Sequence, residues 1–250
     1  MEYVHRFYRA GMAADRLRSF QVAVGESDLW IGVNPEAFDE RTVREAEVAV
    51  MAARAQVQAA IARRAQFRTT LEPLLPDGEA TPLVRGMCEA GVLAGTGPMA
   101  AVAGAVAQAV GRHLLDACGA REVIVENGGD IFVSAREPVR VLVFAGPSPL
   151  SNRIGVILPC DGAPLGVCTS SGTVGPSLSF GRADAVMVAC ADAAVADAWA
   201  TSLANRVGTA DDIAPTLELA ASRPEILSCV IVAGDRVGVG GRFEMFVQDR

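Results

Sequence analysis

The apolar positions of this chain recur first in twos and then in threes and fours. Residues 3–9, 19–24 and 29–33 alternate apolar with polar, the period that gives a strand one side-chain row on each face. Gly25-Glu26-Ser27-Asp28 and Asn34-Pro35 punctuate these runs, which predicts an antiparallel hairpin. From residue 39 to residue 67 the period lengthens, with Val43, Ala46, Val50, Ala53, Val57 and Ala60 on one side and Arg44, Glu45, Glu47, Arg54 and Arg63 on the others. That spacing predicts a long amphipathic helix. Its narrow Val/Ala seam suits either the sheet or a second copy of the chain, so a homodimer is one expectation.

Pro73, Pro76-Asp77-Gly78 and Pro82 then break the pattern. A short helix over 83–90 and a longer one over 98–118 follow, with Pro98 in the favoured first position and Gly119 as the stop. Residues 122–126, 131–134, 139–144, 154–158, 166–169 and 183–189 are rich in β-formers, and Gly, Pro or Asp separates nearly all of them. This is a meander of strands rather than a βαβ alternation. Helices over 192–207 and 212–221 precede closing strands at 229–233, 237–239 and 245–247. The fold class is therefore α+β, antiparallel sheets with packed helices. A length of 250 residues suits a single domain over 1–250 with room for two lobes. Residues 123–130 and 230–235 share a strand-then-Gly-Asp turn, which two hairpins choosing the same turn residues independently would also produce.

Composition changes this picture chiefly by subtraction. All 22 basic residues are Arg, set against 29 acidic ones, for a net charge of −7 and a pI near 5.0. Without Lys there is no Schiff-base chemistry, no phosphate-loop lysine and no lysine general base. A mildly acidic chain without a basic block lacks the positive footprint that nucleic acid requires, so no DNA or RNA partner is expected. The long uncharged run 90–111 is interrupted by Gly95-Thr96-Gly97-Pro98, and its Ala and Gly are too weakly apolar to drive insertion, so no membrane span is expected. The opening residues lack the layout of a signal peptide. Cys88, Cys118, Cys160, Cys168, Cys190 and Cys229 have no metal-ligand spacing and suit free thiols in a reducing cytoplasm.

Proton handlers are scarce. The only histidines are His5 and His113, and His113 has no nucleophile or orienting acid near it in sequence, so it reads as structural. The chain offers instead three turns rich in glycine or hydroxyls, whose amides suit an anion. Gly95-Thr96-Gly97-Pro98 stands before a helix, where the positive end of the dipole favours phosphate; an ordinary helix start would look the same. Its spelling Gly95-x-Gly97-x-x-Ala100 satisfies a loose dinucleotide fingerprint, but residues 87–91 make a poor strand and Glu126 comes too late for the ribose. Glu126-Asn127-Gly128-Gly129-Asp130 is either a hairpin turn or the lining of a metal or ribose pocket. Cys168-Thr169-Ser170-Ser171-Gly172-Thr173-Val174-Gly175 crowds small donors beside two glycines, which favours a ligand-facing role. Cys168 is a candidate nucleophile, although Gly166-Val167 brings no cation to activate it. Asp197, Thr201 and Asn205, at i, i+4 and i+8, line one helix face, where carboxylate, hydroxyl and amide can converge on a hard cation such as Mg²⁺.

Asn127-Gly128-Gly129-Asp130, then Thr169-Ser170-Ser171-Gly172, then Ala196-Asp197-Ala198-Trp199-Ala200-Thr201 resemble, in that order, the glycine pair, Thr-Ser-Gly turn and Ala-Asp-Ala-x-Ala-Thr helix of ApbE-like proteins. More closely, residues 95–205 resemble the uncharacterised, cytoplasmic ApbE-related branch of anaerobic bacteria and methanogenic archaea. ApbE proteins bind FAD and, with Mg²⁺, transfer its FMN part to a threonine of an acceptor protein. The resemblance therefore implies metal binding by Asp197 and Thr201 and ligand binding at Gly128, Gly129, Thr169, Ser171 and Gly172. The ligand it implies is a small phosphorylated molecule, a flavin nucleotide, with Arg182 able to pair with its phosphate. Transferases carry a histidine and Asp-Pro-x-x-Gly soon after the Thr-Ser-Gly turn, where this chain reads Gly175-Pro176-Ser177-Leu178-Ser179-Phe180-Gly181-Arg182. A lysine expected at the glycine-rich helix start is also missing, within Gly97-Pro98-Met99-Ala100-Ala101. These departures count against flavin transfer and leave the fold and a phosphate-and-metal pocket as the expectation. The branch also implies an alternative, a sulfur-assimilation enzyme forming homocysteine in anaerobes, in which Cys168 is the residue to watch. A third expectation is a non-catalytic ligand-binding scaffold.

Overall fold

The computed structural model describes residues 16–172 and 181–248; the alternating segment 3–9 lies outside them. The first hairpin forms as its alternation predicts, β1 (Arg18–Val24) against β2 (Ser27–Val33), turning at Gly25-Glu26. A 3-10 turn, Pro35–Ala37, leads into α1 (Glu40–Arg63), whose first turn is capped by Asp39 accepting from the Thr42 amide at 2.7 Å. The short α2 (Gln66–Thr69) and α3 (Pro82–Ala94) follow, α3 starting on a Thr81 cap with proline just inside it. The helix expected from Pro98 begins instead as a 3-10 turn, Pro98–Ala101, and becomes α4 (Val102–Ala117) only afterwards.

The strands come next: β3 (Val123–Asn127), β4 (Asp130–Ser134), β5 (Val139–Leu142), β6 (Ile154–Leu158), β7 (Leu165–Ser170) and β8 (Ala185–Cys190). Then α5 (Ala193–Ala204), a 3-10 turn Ala210–Asp212, α6 (Ile213–Ala221), β9 (Ser228–Ala233), β10 (Arg236–Gly241) and β11 (Glu244–Val247) close the order. Neighbouring strands pair antiparallel in one eight-stranded sheet, β1-β2-β3-β4-β7-β8-β9-β10, and one three-stranded sheet, β11-β6-β5. The meander is thus interrupted: β4 pairs directly with β7, and β5 and β6 leave the main sheet to build the small one with β11. Alternation tells which face a side chain takes but not which strand it meets.

Each face of the large sheet has its own core. On one side Val125, Phe132, Cys168, Val188 and Ile231 pack against α1, α3, α4 and α5. On the other Trp30, Ile124, Val133, Val167, Met187 and Val230 meet Val141, Val156 and Leu158 of the small sheet. The seam of α1 is spent within the chain, since Ala46, Val50, Ala53, Val57 and Ala60 are buried against α4 and β1. His113 joins the same pair of helices, its Nε2 lying 2.8 Å from Glu45 Oε2, an acid distant in sequence. Among the described residues no single helix is long and apolar enough to cross a membrane, and the one pair that would be so together, Pro82–Ala94 and Pro98–Ala117, is bent by 106°.

With so few rings, helix and sheet approach through missing side chains. A Cβ on Gly166 of β7 would collide with the backbone of Ala193 in α5, and one on Gly104 of α4 would collide with the Ala193 carbonyl. Trp199, buried on α5, is the largest exception; its indole N–H donates to Glu225 Oε1 at 3.1 Å and Arg223 lies over its ring. Gly166→Ala is expected to destabilise the chain by about 1–3 kcal/mol or more through backbone overpacking. Gly86→Ala, with nothing within 4 Å of its new methyl group and a helical site, should instead stabilise it by up to ~1 kcal/mol. Urea denaturation of the two variants against the parent distinguishes these opposite signs.

Candidate functional site

The segments 127–130 and 169–172 adjoin at one end of the large sheet, beside α5 with Asp197 and Thr201. The β3–β4 connection is a two-residue turn, Gly128-Gly129, with φ +73° and +104°. Positive φ at both central positions is what a hairpin of this length demands, and glycine meets it at no steric cost. The fully buried Glu126 carboxylate ties the turn down by accepting from the Gly129 amide at 2.7 Å. Asn127, before the turn, donates from Nδ2 to the Ala103 carbonyl at 3.1 Å and so fixes the sheet end to the start of α4. Asp130, after it, begins β4 and shares the helix-facing side with Phe132.

The second turn stands beside the first. Thr169 and Ser170 still belong to β7, and only Ser171 and Gly172 lie beyond it. The Thr169 carbonyl is 3.8 Å from where a Cβ on Gly129 would be. Alternation along β7 sends Val167 and Thr169 toward the small sheet, and Cys168 and Ser170 toward α5. Of the two adjacent hydroxyls it is therefore Ser170 that shares the side of Asp197. Gly172 is held by its amide on the Ala183 carbonyl at 2.9 Å and by close approach to Gly181, which in turn packs on the Ala204 carbonyl. Arg182 presents an exposed side chain, while its amide donates to Val207 O at 2.7 Å just past α5. Residues 173–180, which carry most of the departure from the transferase motif, lie outside the described residues.

The polar row of α5 crosses over both turns. Ala193, one turn before Asp197, touches Gly166 and Gly104 and accepts from the Cys168 thiol at 3.3 Å. Asp197 is 9% exposed, and its Oδ2 accepts from the Gly104 amide at 2.9 Å. Thr201 is half-buried one turn on, and Asn205 caps the helix end. α4 has no side-chain cap of its own, so Asp197 serves as that cap from a neighbouring helix. Burial first, and the Asp130 carboxylate second, push Asp197 well above the usual carboxylate range, against the amides of Gly104 and Ala103.

Two expectations change in this light. The Gly95-Thr96-Gly97 loop was to offer phosphate the amides of a helix start, yet a 3-10 turn stands there and the first amides of α4 already face Asp197. Gly95 closes α3 with φ +72°, Gly97 packs against the Thr70 carbonyl, and the preceding segment is helix rather than the strand a dinucleotide loop needs. Thr96 alone keeps free capacity: its hydroxyl is buried and has no hydrogen-bond partner among the described residues. Cys168 is also corrected as a nucleophile. It is fully buried, and burial, then Asp130, then Asp197 hold its thiol well above its ordinary value, the reverse of an activated cysteine. Sequence reasoning missed Ala103, Gly104, Gly166 and Gly181, which shape the site through backbone alone; the Ala-Gly-Ala spelling at 103–105 was the one available signal.

The family model described as "AbpE bacteria" matches residues 9–222. The chain belongs to this family. It is 42% identical over 195 residues to a UPF0280 protein of Methanocella arvoryzae, covering 78% of this chain and 79% of that one. A UPF0280 protein of Methanoculleus marisnigri is 42% identical over 214 residues, covering 86% of each. Among solved structures, the flavin transferase ApbE from Vibrio cholerae superposes with a TM-score of 0.57 at 14% identity, covering 93% of this chain and 97% of that one. The apo flavinyl transferase ApbE of Pseudomonas stutzeri gives 0.53 at 14% identity, covering 90% and 94%. The ApbE-like fold expected from the three motifs is thereby established.

One consequence concerns pH. In the folded chain the raised Asp197 carboxyl keeps its proton at pH values where the unfolded chain has already lost it. The fold then binds more protons than the unfolded state, so this group favours folding at low pH and loses that contribution as pH climbs from ordinary carboxylate values through the raised one. Asp197→Asn keeps an acceptor for Gly104 and removes the titration. Under EDTA, its stability relative to the parent is expected to improve from about pH 5 to about pH 8 in chemical denaturation; parallel profiles would contradict the assignment.

Proposed function

We propose that this protein binds a flavin nucleotide, FAD or a close phosphorylated relative, together with Mg²⁺, in the cleft between α5 and the adjoining ends of β3–β4 and β7. The observation that carries this reading is the buried approach of Asp130 and Asp197 beside the half-buried Thr201 hydroxyl, flanked by both glycine- and hydroxyl-rich segments. Its donors are oxygens, as a hard cation prefers. Among the described residues no three His, Cys, Asp or Glu side chains cluster around one point. Mg²⁺ is commonly held by one or two carboxylates plus ligand phosphates rather than by an all-protein cage.

Asp197 and Thr201 are assigned to the cation, Gly128, Gly129, Ser170, Ser171 and Gly172 to the ligand's polar edge, and the exposed Arg182 to phosphate. When bound, the cation would neutralise the phosphate charge and polarise a phosphoryl oxygen. The chain's own contribution is orientation: Asn127 and Glu126 lock the glycine turn, and the Gly104 amide fixes Asp197 before the ligand arrives. General-base help is scarce, because the chain has no Lys and only two His. We therefore assign binding without FMN transfer of the transferase kind. The free cysteines support a reducing compartment, the cytoplasm.

Calorimetry with FAD and Mg²⁺ should give saturable binding with a dissociation constant on the order of micromolar. The same mixture with a threonine-bearing acceptor should leave no flavin fluorescence on a denaturing gel. Absence of binding would end the reading, and a covalently flavinylated acceptor would restore transferase activity to it. Thr96→Val, which removes the orphaned hydroxyl, should leave the ligand-free protein as stable or more so. A loss of flavin affinity in that variant would add Thr96 to the ligand contacts.

A further inference from the structure

α5 lies on α4 through side chains too small to fix its register. Most of the buried residues of α5 are alanine, and Gly104 of α4 meets the Ala193 carbonyl and the Asp197 Cβ without a side chain of its own. Such contacts reward closeness but not one particular slide or rotation, because apolar burial has no direction. Polar links supply the direction. At one point the Gly104 amide donates to Asp197 Oδ2 at 2.9 Å. One turn further along α4, the half-buried Gln108 spends both ends of its amide on the start of α5. Its Nε2 donates to Asp192 Oδ2 at 2.5 Å, and its Oε1 accepts from the Ala193 amide at 2.9 Å. Asp192 uses its other oxygen, Oδ1, to cap α5, accepting from the Ala194 and Val195 amides at 2.9 and 3.2 Å. Gly104 and Gln108 are one turn apart on α4, as Ala193 and Asp197 are on α5, and the pairing runs in opposite directions. The same ~6 Å turn of each helix is therefore held at both ends. Without the Gln108 end, α5 could pivot about the Gly104 bond.

We propose that Gln108 is a positioning residue for the cation site, setting the place of Asp197 through the start of α5 rather than acting on cation or ligand directly. This rests on the cation reading given above and extends it to a residue outside the three motifs. Because Asn127 also bonds to α4, at the Ala103 carbonyl, the first turns of α4 are the common reference for the glycine turn and for the helix above it. The side-chain amide is a chemical requirement. One group must donate to a carboxylate and accept from a backbone N–H at once, which neither a carboxylate nor a thioether in its place can do.

Mn²⁺ is the probe, its free and bound forms quantified by electron paramagnetic resonance in titrations of the full chain with and without FAD. Gln108→Glu, which keeps an acceptor for Ala193 but sets a second carboxylate against Asp192, is expected to weaken Mn²⁺ binding by about tenfold. Gln108→Met, which removes both bonds at nearly constant volume, should do the same. Adding Asp192→Asn to Gln108→Glu exchanges donor and acceptor and leaves an oxygen to cap α5, so affinity should return to within about twofold of the parent. His113→Ala, which cuts a link between α4 and α1 instead, should leave the affinity unchanged. In Gln108→Met the Gly104 amide should also exchange with deuterium faster than in the parent. Parent affinity in both single variants, no recovery in the double variant, an equal loss in His113→Ala or unchanged Gly104 exchange would each overturn the proposal and leave the cation reading standing. No Mn²⁺ binding by the parent under either condition would overturn both. Circular dichroism checks folding, and should Gln108→Glu not fold, Gln108→Met carries the single-variant arm.

Discussion

The rest of this structure depends on how closely α5 can lie on the sheet. The Ala193–Asp197–Thr201 row reaches β7 and α4 because Gly166 and Gly104 have no side chains to hold it away. A side chain at either position would lift the helix, and with it the carboxylate, away from the two turns below. The small-residue composition of the chain is therefore a condition of the site's geometry and not merely of its packing. It also explains how a protein with few aromatic rings fills its helix-facing core: Ala and Val let backbones approach, and dispersion over many short contacts replaces a few large ones.

Asp197 has two duties that would ordinarily fall to different residues. It completes the hydrogen bonding of a helix that starts without its own cap, and it carries a buried carboxyl that feels the Asp130 carboxylate. The first amides of α4 are thus already engaged by the Asp197 carboxyl. Spelling alone could not reveal this, because the capping residue comes from 93 positions away.

Local period was enough to find nearly every described element. Residues 39–67 became α1 and α2, residues 154–158 became β6 as drawn, and Asp39 and Pro82 set helix starts through nearest-neighbour chemistry. What local period could not supply was partnership. The excursion of β5 and β6 into a second sheet depends on pairing with β11, the last described strand, and nothing in residues 139–158 announces it. The site was legible to the same degree. Gly128-Gly129 and the Asp197–Thr201 spacing showed in the sequence because turns and helix faces are local. The amides of Ala103 and Gly104 did not show, because backbone donors look alike in every residue. Cys168 was misjudged for a related reason: its chemistry is set by burial and by two carboxylates from distant segments.

The chain's two tryptophans, Trp30 and Trp199, fall one to each face of the large sheet. Trp30 lies in the core under the small sheet, whereas Trp199 sits on α5 between Asp197 and Thr201 in sequence, hydrogen-bonded to Glu225 and stacked beneath Arg223. The molecule therefore carries an optical probe in each of its two cores. With one indole silenced by Trp→Phe, emission from the other follows a single layer, so loosening of the sandwich and displacement of α5 can be watched as separate events without any attached dye.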